Sequence, residues 1–420
     1  MFLTNEDNEL WERASNLIVR STTTMSKNPD QYVDGLYPKF LEYAKGAYVY
    51  DRNGNKFLDF ACAIGPIILG YNHTNTNEAI KNQLEKGIIF TLPTILEQEL
   101  ASLIVETVPC AQQVKFGKNG SDATTAAIRC ARSYTGRNHV AFCGYHGWGD
   151  FFASAGERNY GIPLQLKEFM HEFYYNDCNS LEKILSEHDV AAVIMEPQAL
   201  TVPNEGFLEN VKKLSNKRGA VLIFDEIVTG YRWSLSGAQG HYSVIPDLCT
   251  LGKASANGMP ISILAGKKEI MSEFEHVFFS GTFFGECLTL AAAISTINEL
   301  KNKDYSHIWN LGNMLNKGIN ETAKNNDLQV DFMGSAPRQH LKFKFYNDLD
   351  GMKDLFFQEM CKQNILWSNV IYIQFSHTKE DIQRTIEAAD KAFKFVSENR
   401  DNVDKVLLGK RSRKIFRKNS

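Results

Sequence analysis

The chain has 420 residues, 43% of them hydrophobic, and a formal net charge of -3 from 46 Lys and Arg against 49 Asp and Glu. That length buries a large core and exceeds most single compact domains, while the charge balance provides no global field for nucleic acid or an anionic membrane surface. No run of about 18 apolar residues offers a membrane span; the 8 cysteines, never in a C-x-x-C pair, read as reduced packed thiols, and the acidic opening from Met1 to Asp7 lacks the order of a signal peptide, so a cytoplasmic protein is expected.

Thr4 and Asp7 give a capping signal for a first helix with Leu10, Trp11, Ala14, Leu17 and Ile18 on one face. Ala47 to Tyr50, a turn at Asn53-Gly54 and Lys56 to Leu58 read as a hairpin. From about 95 to 300, short apolar runs alternate with helical patterns. Val114 to Phe116, Val140 to Phe142, Val190 to Met195 and Val221 to Phe224 read as buried strands, with helices over 121–135, 179–187 and 207–218. The alternation predicts a mainly parallel sheet covered by helices on both faces.

Beyond 300 the pattern changes to a helix from Tyr305 to about Ala323, strands near 328–333 and 340–346, and helices near 351–364 and 379–397. The expected organisation is a helix-and-hairpin segment (1–60) joining a small domain, a large cofactor-binding domain (61–300), the small α+β domain itself (301–405) and a basic tail (406–420). The tail carries Lys410, Arg411, Arg413, Lys414, Arg417 and Lys418 and reads as a solvated terminus.

Three stretches carry chemistry. Phe116-Gly117-Lys118-Asn119-Gly120-Ser121-Asp122 runs from a strand into an alanine-rich helix, where small residues let backbone N–H groups approach an anion. Alone, it is also an ordinary capped helix start. Val221 to Phe224 followed by Asp225-Glu226 puts an acidic pair at the carboxyl edge of the sheet, where open α/β folds bind ligands. An NTPase would use such an aspartate for magnesium, but around Gly252-Lys253-Ala254 the required glycine is Asp247 and no hydroxyl follows the lysine.

Pyridoxal phosphate (PLP) chemistry asks for a carboxylate against the pyridine nitrogen and a lysine able to form a Schiff base. Asp225 and Lys253 meet that demand, the lysine following apolar Leu248 to Leu251 and a glycine. A lone lysine is ordinarily a solvated charge; only the combination singles this one out. Gly144-Tyr145-His146-Gly147, after a strand, offers an aromatic to stack on a flat ring, although such residues more often simply pack. Cys143 and His146 have ligand-like spacing, but no second pair accompanies them, and no metal is expected.

These stretches, with Met195-Glu196-Pro197, Ile227-Val228-Thr229-Gly230-Tyr231-Arg232, Pro246-Asp247 and His377-Thr378, resemble class III aminotransferases, in particular the glutamate-1-semialdehyde aminomutases and their relatives. The similarity spans nearly all of the chain except the basic tail. It implies a PLP-dependent transferase of fold type I: a large, mainly parallel, seven-stranded sheet domain with a smaller α+β domain, forming a homodimer with active sites at the subunit interface. It further implies Lys253 as the Schiff-base lysine, Asp225 as partner of the pyridine nitrogen, and Ile227 and Tyr145 on opposite ring faces with His146 beside them. Asn119, Gly120 and Ser121 would hold the phosphate, and Thr282 would reach the phosphate in the neighbouring subunit.

The chain also departs from that branch. The aminomutases carry a carboxylate-binding arginine where 25–32 here has none, and Asn369 stands where they have a glutamate. The changes favour an aminotransferase acting between a small-molecule amino donor and a carbonyl acceptor. The Ser26-Lys27-Asn28-Pro29-Asp30-Gln31 stretch resembles relatives working on oxo-sugars of surface carbohydrates. Arg338 and His340 are candidates for a substrate anion. An intramolecular aminomutase and a non-catalytic PLP-binding relative stay open as alternatives.

Overall fold

The computed structural model describes residues 4–413. The chain begins with helix α1 (Asn5–Leu17) and strands β1 (Leu41–Lys45), β2 (Tyr48–Asp51) and β3 (Lys56–Asp59). Helices α2 (Thr74–Leu84) and α3 (Ile95–Thr107) lead to β4 (Gln113–Gly117), α4 (Gly120–Thr135) and β5 (His139–Cys143). There follow α5 (Asp150–Ala153), β6 (Met170–Glu172), α6 (Cys178–Glu187), β7 (Val190–Met195), α7 (Phe207–Lys217) and β8 (Val221–Glu226). Next come α8 (Gly237–His241), β9 (Leu248–Leu251), β10 (Ser262–Gly266), α9 (Lys268–Met271) and α10 (Cys287–Lys301). The remainder is α11 (Ser306–Asn325), β11 (Val330–Ser335), β12 (Arg338–Phe343), α12 (Leu349–Lys362), β13 (Ile365–Leu366), β14 (Val370–Tyr372), α13 (Lys379–Asn399) and α14 (Val403–Val406).

Two compact units result. One gathers the described chain up to Ile64, Ile68–His73 and the chain from Ser306 onward; the other is Gly65–Ile67 with Thr74–Tyr305. In the second unit seven strands form one sheet in the order β4-β10-β9-β8-β7-β5-β6. Neighbours from β9 to β6 pair parallel, and β10 pairs antiparallel with both β9 and β4. Only β10 therefore runs against the rest, and β4, β5, β8 and β9 all end at one edge. β7 and β8 are buried along their whole length, as continuous apolar runs covered on both faces must be. One face packs against the small residues of α4, where Ala123, Ala127 and Ala131 meet Val140, Ile194 and Ile223. β4 alternates exposed and half-buried residues, because it lies at the sheet edge rather than in its centre as its apolar run suggested.

The first unit holds a sheet of β1-β2-β3-β13 and another of β11-β12-β14. Ser335 pairs with Arg338 across a tight turn at Ala336-Pro337, so β12 starts and ends earlier than the pattern near 340–346 implied. The capping box of Thr4 and Asp7 is present, but Leu17 and Ile18 of the expected apolar face are exposed. The described part of the basic tail does not fray. Arg411 pairs with Asp348 at 2.7 Å and with Asp404 at 2.6 Å, and Ser412 N–H donates to Asp354 at 2.8 Å. Carboxylates of its own unit thus capture it. Lys414, Arg417 and Lys418 lie outside the described residues.

The β8 terminus is fastened from below by Glu226, which is fully buried and accepts from the Ala238 and Gln239 N–H groups, the Gln239 amide and the Thr229 hydroxyl. Burial pushes its carboxyl above the usual range, against those donors. Truncating it strands several buried donors at once. Glu226→Ala is expected to lower stability by about 3 kcal/mol or more, from unmet donors at ~1–3 kcal/mol each. Urea denaturation measures this; a change below about 1 kcal/mol would refute the account.

Candidate active site

Parallel strands deliver their carboxyl ends to one edge, and four of those ends carry the residues singled out in the sequence. β4 leads into Asn119, Gly120 and Ser121 at the start of α4; β5 leads into Tyr145 and His146; β8 ends in Asp225-Glu226 and runs on to Ile227; β9 leads through Gly252 to Lys253. Asp225 lies directly opposite Thr250 in the β8–β9 ladder, and Lys253 follows Thr250 by three residues, in the turn just beyond the end of β9.

The Asp225 carboxylate is buried and tightly held. Its Oδ2 accepts from His146 Nδ1 at 2.8 Å. Its Oδ1 accepts from the Thr250 hydroxyl at 3.0 Å and from Ile227 N–H at 3.1 Å. A carboxylate has about four lone-pair sites, so these three bonds leave room for one further donor. His146 is 1% exposed, and its other nitrogen, Nε2, lies 3.1 Å from the Cys143 carbonyl. The ring is thus held from both of its nitrogens. Thr124 Oγ1 donates to the His146 carbonyl at 2.8 Å, which ties this loop to α4.

At the α4 terminus, Asp122 Oδ2 accepts from the N–H groups of Lys118 (2.9 Å) and Asn119 (2.8 Å) and shapes the turn. The first-turn amides of Gly120 and Ser121 form the electropositive end of a 16-residue helix. Ser121 Oγ accepts from Trp148 N–H at 3.0 Å. A Cβ added to Gly120 or to Gly252 would lie 3.3 Å or 3.1 Å from Ile227 Cδ1. The Ile227 side chain thus sits between the anion-binding end of α4 and the turn that carries Lys253.

Lys253 is half-buried, at φ 37 in a short 3-10 turn. Among the described residues none forms an ion pair or hydrogen bond with its ammonium group. Tyr145 is 61% exposed, its ring set edge-on to Phe152 at 5.5 Å. Thr282 is exposed on the turn before α10. Arg338 and His340 occupy one face of β12 in the other unit, and Asn369 is exposed just before β14.

Several supports escaped the sequence reading. Arg232 is fully buried and donates to the carbonyls of Gly65 and Ile67, each at 2.7 Å. The Ile67 side chain in turn approaches the turn after Lys253, 3.2 Å from where a Gly258 Cβ would stand. The Trp233 indole donates to Gln198 Oε1 at 2.8 Å. Arg232 lay in a recognised motif; Thr250 and Thr124 carried no local signal, since only the ladder and the helix packing reveal their partners.

This set fits PLP. A helix terminus with small residues matches a phosphate, an acceptor site remains on a buried carboxylate, and an amine without a carboxylate partner stands one strand away.

A family model described as aminotransferase class-III matches residues 32–334. The 3-aminobutyryl-CoA aminotransferase of Cloacimonas acidaminovorans (strain Evry) is 37% identical over 396 residues, covering 90% of this chain and 94% of that protein. The glutamate-1-semialdehyde 2,1-aminomutase of Desulforamulus reducens is 34% identical over 398 residues, 86% of this chain and 91% of its own. Among solved structures, the PLP internal aldimine form of the Sphingopyxis sp. MTA144 FumI protein superposes with a TM-score of 0.90 at 26% identity, over 96% of this chain and all of that one (100%).

Gly147 tests the phosphate cradle. At φ +102 it admits a side chain only under strain, and a Cβ there would stand 2.2 Å from Ser121 Oγ. Gly147→Ala is expected to displace Ser121 and weaken PLP binding at least about tenfold, or ~1.4 kcal/mol. Absorbance titration of the stripped protein with PLP reads this; unchanged affinity removes Ser121 from the cradle.

Proposed function

The chain belongs to the PLP-dependent class III aminotransferase family, and on that premise we propose that it moves an amino group between two molecules, from an amino-acid donor to a carbonyl acceptor. The observation that carries this reading is the placement of Asp225 near the end of β8 and of Lys253 in the turn after the neighbouring strand β9, at one sheet edge, with His146 and Thr250 holding the carboxylate. When bound, PLP supplies an electron sink for the bond being broken at the substrate carbon. Asp225 holds the proton on the pyridine nitrogen, and His146 and Thr250 fix its orientation. Lys253 Nζ would hold the cofactor and would be the base that carries a proton to and from the substrate carbon. Gly120, Ser121 and Asn119 bind the phosphate, while Ile227 and Tyr145 bracket the ring. Thr282 completes the phosphate site of the other subunit in a homodimer, and the enzyme works in the cytoplasm.

Transfer between molecules is favoured over rearrangement within one because 25–32 has no arginine and residue 369 is Asn369. Those are positions at which the aminomutases carry an arginine and a glutamate, and Lys27 offers a point charge rather than the bidentate fork of an arginine. The acceptor we favour is a keto- or aldehydo-sugar. The relative that is 37% identical, named as a 3-aminobutyryl-CoA aminotransferase, supports a 3-oxoacyl thioester as a second reading.

Lys253→Ala is expected to abolish turnover and the visible absorbance of the lysine-linked cofactor; a variant that keeps both overturns the assignment. For the substrate, the protein loaded with pyridoxamine phosphate is mixed with keto-sugars, aldehydo-sugars, 3-oxobutyryl-CoA and glutamate-1-semialdehyde, and products are read by mass spectrometry. Amination of a sugar supports the favoured acceptor, and amination of the thioester supports the second. Isomerisation of the semialdehyde with no co-substrate would replace both with the aminomutase.

A further inference from the structure

At the opposite end of β5 from the catalytic loop, three histidines from separate segments converge. His139 opens β5, His171 is the middle residue of β6, and His188 caps α6 just before β7. His139 Nδ1 lies 2.9 Å from His171 Nε2. The His171 and His188 rings stack at 3.8 Å and 16°, and the His139 and His188 centroids are 4.9 Å apart. One ring nitrogen from each lies within 4.8 Å of those of the other two, and all three side chains are half-buried. The span from His139 to Cys143 at the catalytic edge is roughly 13 Å at about 3.3 Å per strand residue.

We propose that His139, His171 and His188 form a binding site for a divalent transition-metal ion, zinc being the best match, with water in a fourth, open position. Three imidazoles and no thiolate select for zinc, copper, nickel or cobalt over calcium and magnesium. Tetrahedral zinc, with bonds of about 2.0–2.1 Å, sets its ligand nitrogens ~3.3 Å apart, so the nitrogens must draw in and the stacked His171 and His188 rings must turn for their lone pairs to converge.

The backbone already holds the ligands in place. His139 pairs with Val190 across β5–β7, and His171 faces Ala141 across β5–β6. Of the nearby carboxylates, Asp189 is paired with Arg137 at 2.8 Å and Glu187 stands 4.0 Å from Lys183, so both balance charge around the site rather than complete it. A bound ion would fasten β6, a strand of only 3 residues at the sheet edge, to β5 and to the turn entering β7.

The test uses the full-length, PLP-loaded protein without a histidine tag, treated with a chelator and then titrated with zinc chloride by calorimetry. One equivalent should bind, and cobalt chloride should give the strong visible bands of a tetrahedral, nitrogen-rich site. His139→Gln, His171→Gln and His188→Gln should each weaken zinc binding by at least about tenfold to a hundredfold, the cost of disturbing even an outer partner of a metal ligand. The cofactor absorbance should not change. Should one variant misfold by circular dichroism, the other two and the cobalt spectrum decide. Absence of stoichiometric binding, or equal affinity in all folded variants, overturns the site and leaves the rings as a packing cluster.

Discussion

The structure turns on one buried carboxylate. Asp225 sits at the end of a fully buried strand, where an isolated negative charge would be costly. Its three donors come from three different directions: His146 from the loop after β5, Thr250 from the neighbouring strand, and Ile227 from its own backbone. His146 in turn rests on the Cys143 carbonyl, so the ring is braced at both nitrogens. The arrangement offsets desolvation with three directed hydrogen bonds. It also fixes the carboxylate, so that a ligand donor meets an acceptor already in position and no reorganisation is needed on binding.

That constraint explains why the sheet must be built as it is. A carboxylate, a lysine, an aromatic loop and a helix terminus meet only if β4, β5, β8 and β9 end on the same side. The single reversed strand, β10, lies between β9 and β4 and lets β4 run parallel to the others without a second crossover beside it. Adjacent residues of β8 then divide the work by strand alternation. Asp225 points to one face and meets His146; Glu226 points to the other and binds the start of α8. The acidic pair, read as one feature in the sequence, is two features in space.

Much of this was legible beforehand because the periodic signals were strong. Unbroken apolar runs at 190–195 and 221–224 announced buried parallel strands, and small residues after β4 announced a helix able to approach an anion. Short or edge strands were not legible. β6 has 3 residues and β13 has 2, too few for a period, and β10 reads like any apolar run until its direction is known. Long-range partners were equally hidden. Nothing local marks Thr250 as a donor to a residue 25 positions away, or His139, His171 and His188 as neighbours. The tail misled for a related reason: its basic residues look solvated until Asp348, Asp354 and Asp404 are seen beside them.

The two kinds of sequence feature also fall on different units. Asn119 to Ser121, Tyr145, His146, Asp225, Ile227 and Lys253 all belong to the unit made of Gly65–Ile67 and Thr74–Tyr305, and the hydrogen bonds that brace Asp225 stay inside it. The positions that depart from the aminomutase pattern, 25–32 and Asn369, belong to the other unit. A hydrogen-bond network contained in one unit tolerates change elsewhere, because distant sites without shared partners act nearly independently. Substrate preference in such a chain can drift by substitutions that leave the Asp225 network untouched. The Asp225 network and the altered 25–32 segment therefore lie on separate pieces of the chain, and change in one need not disturb the other.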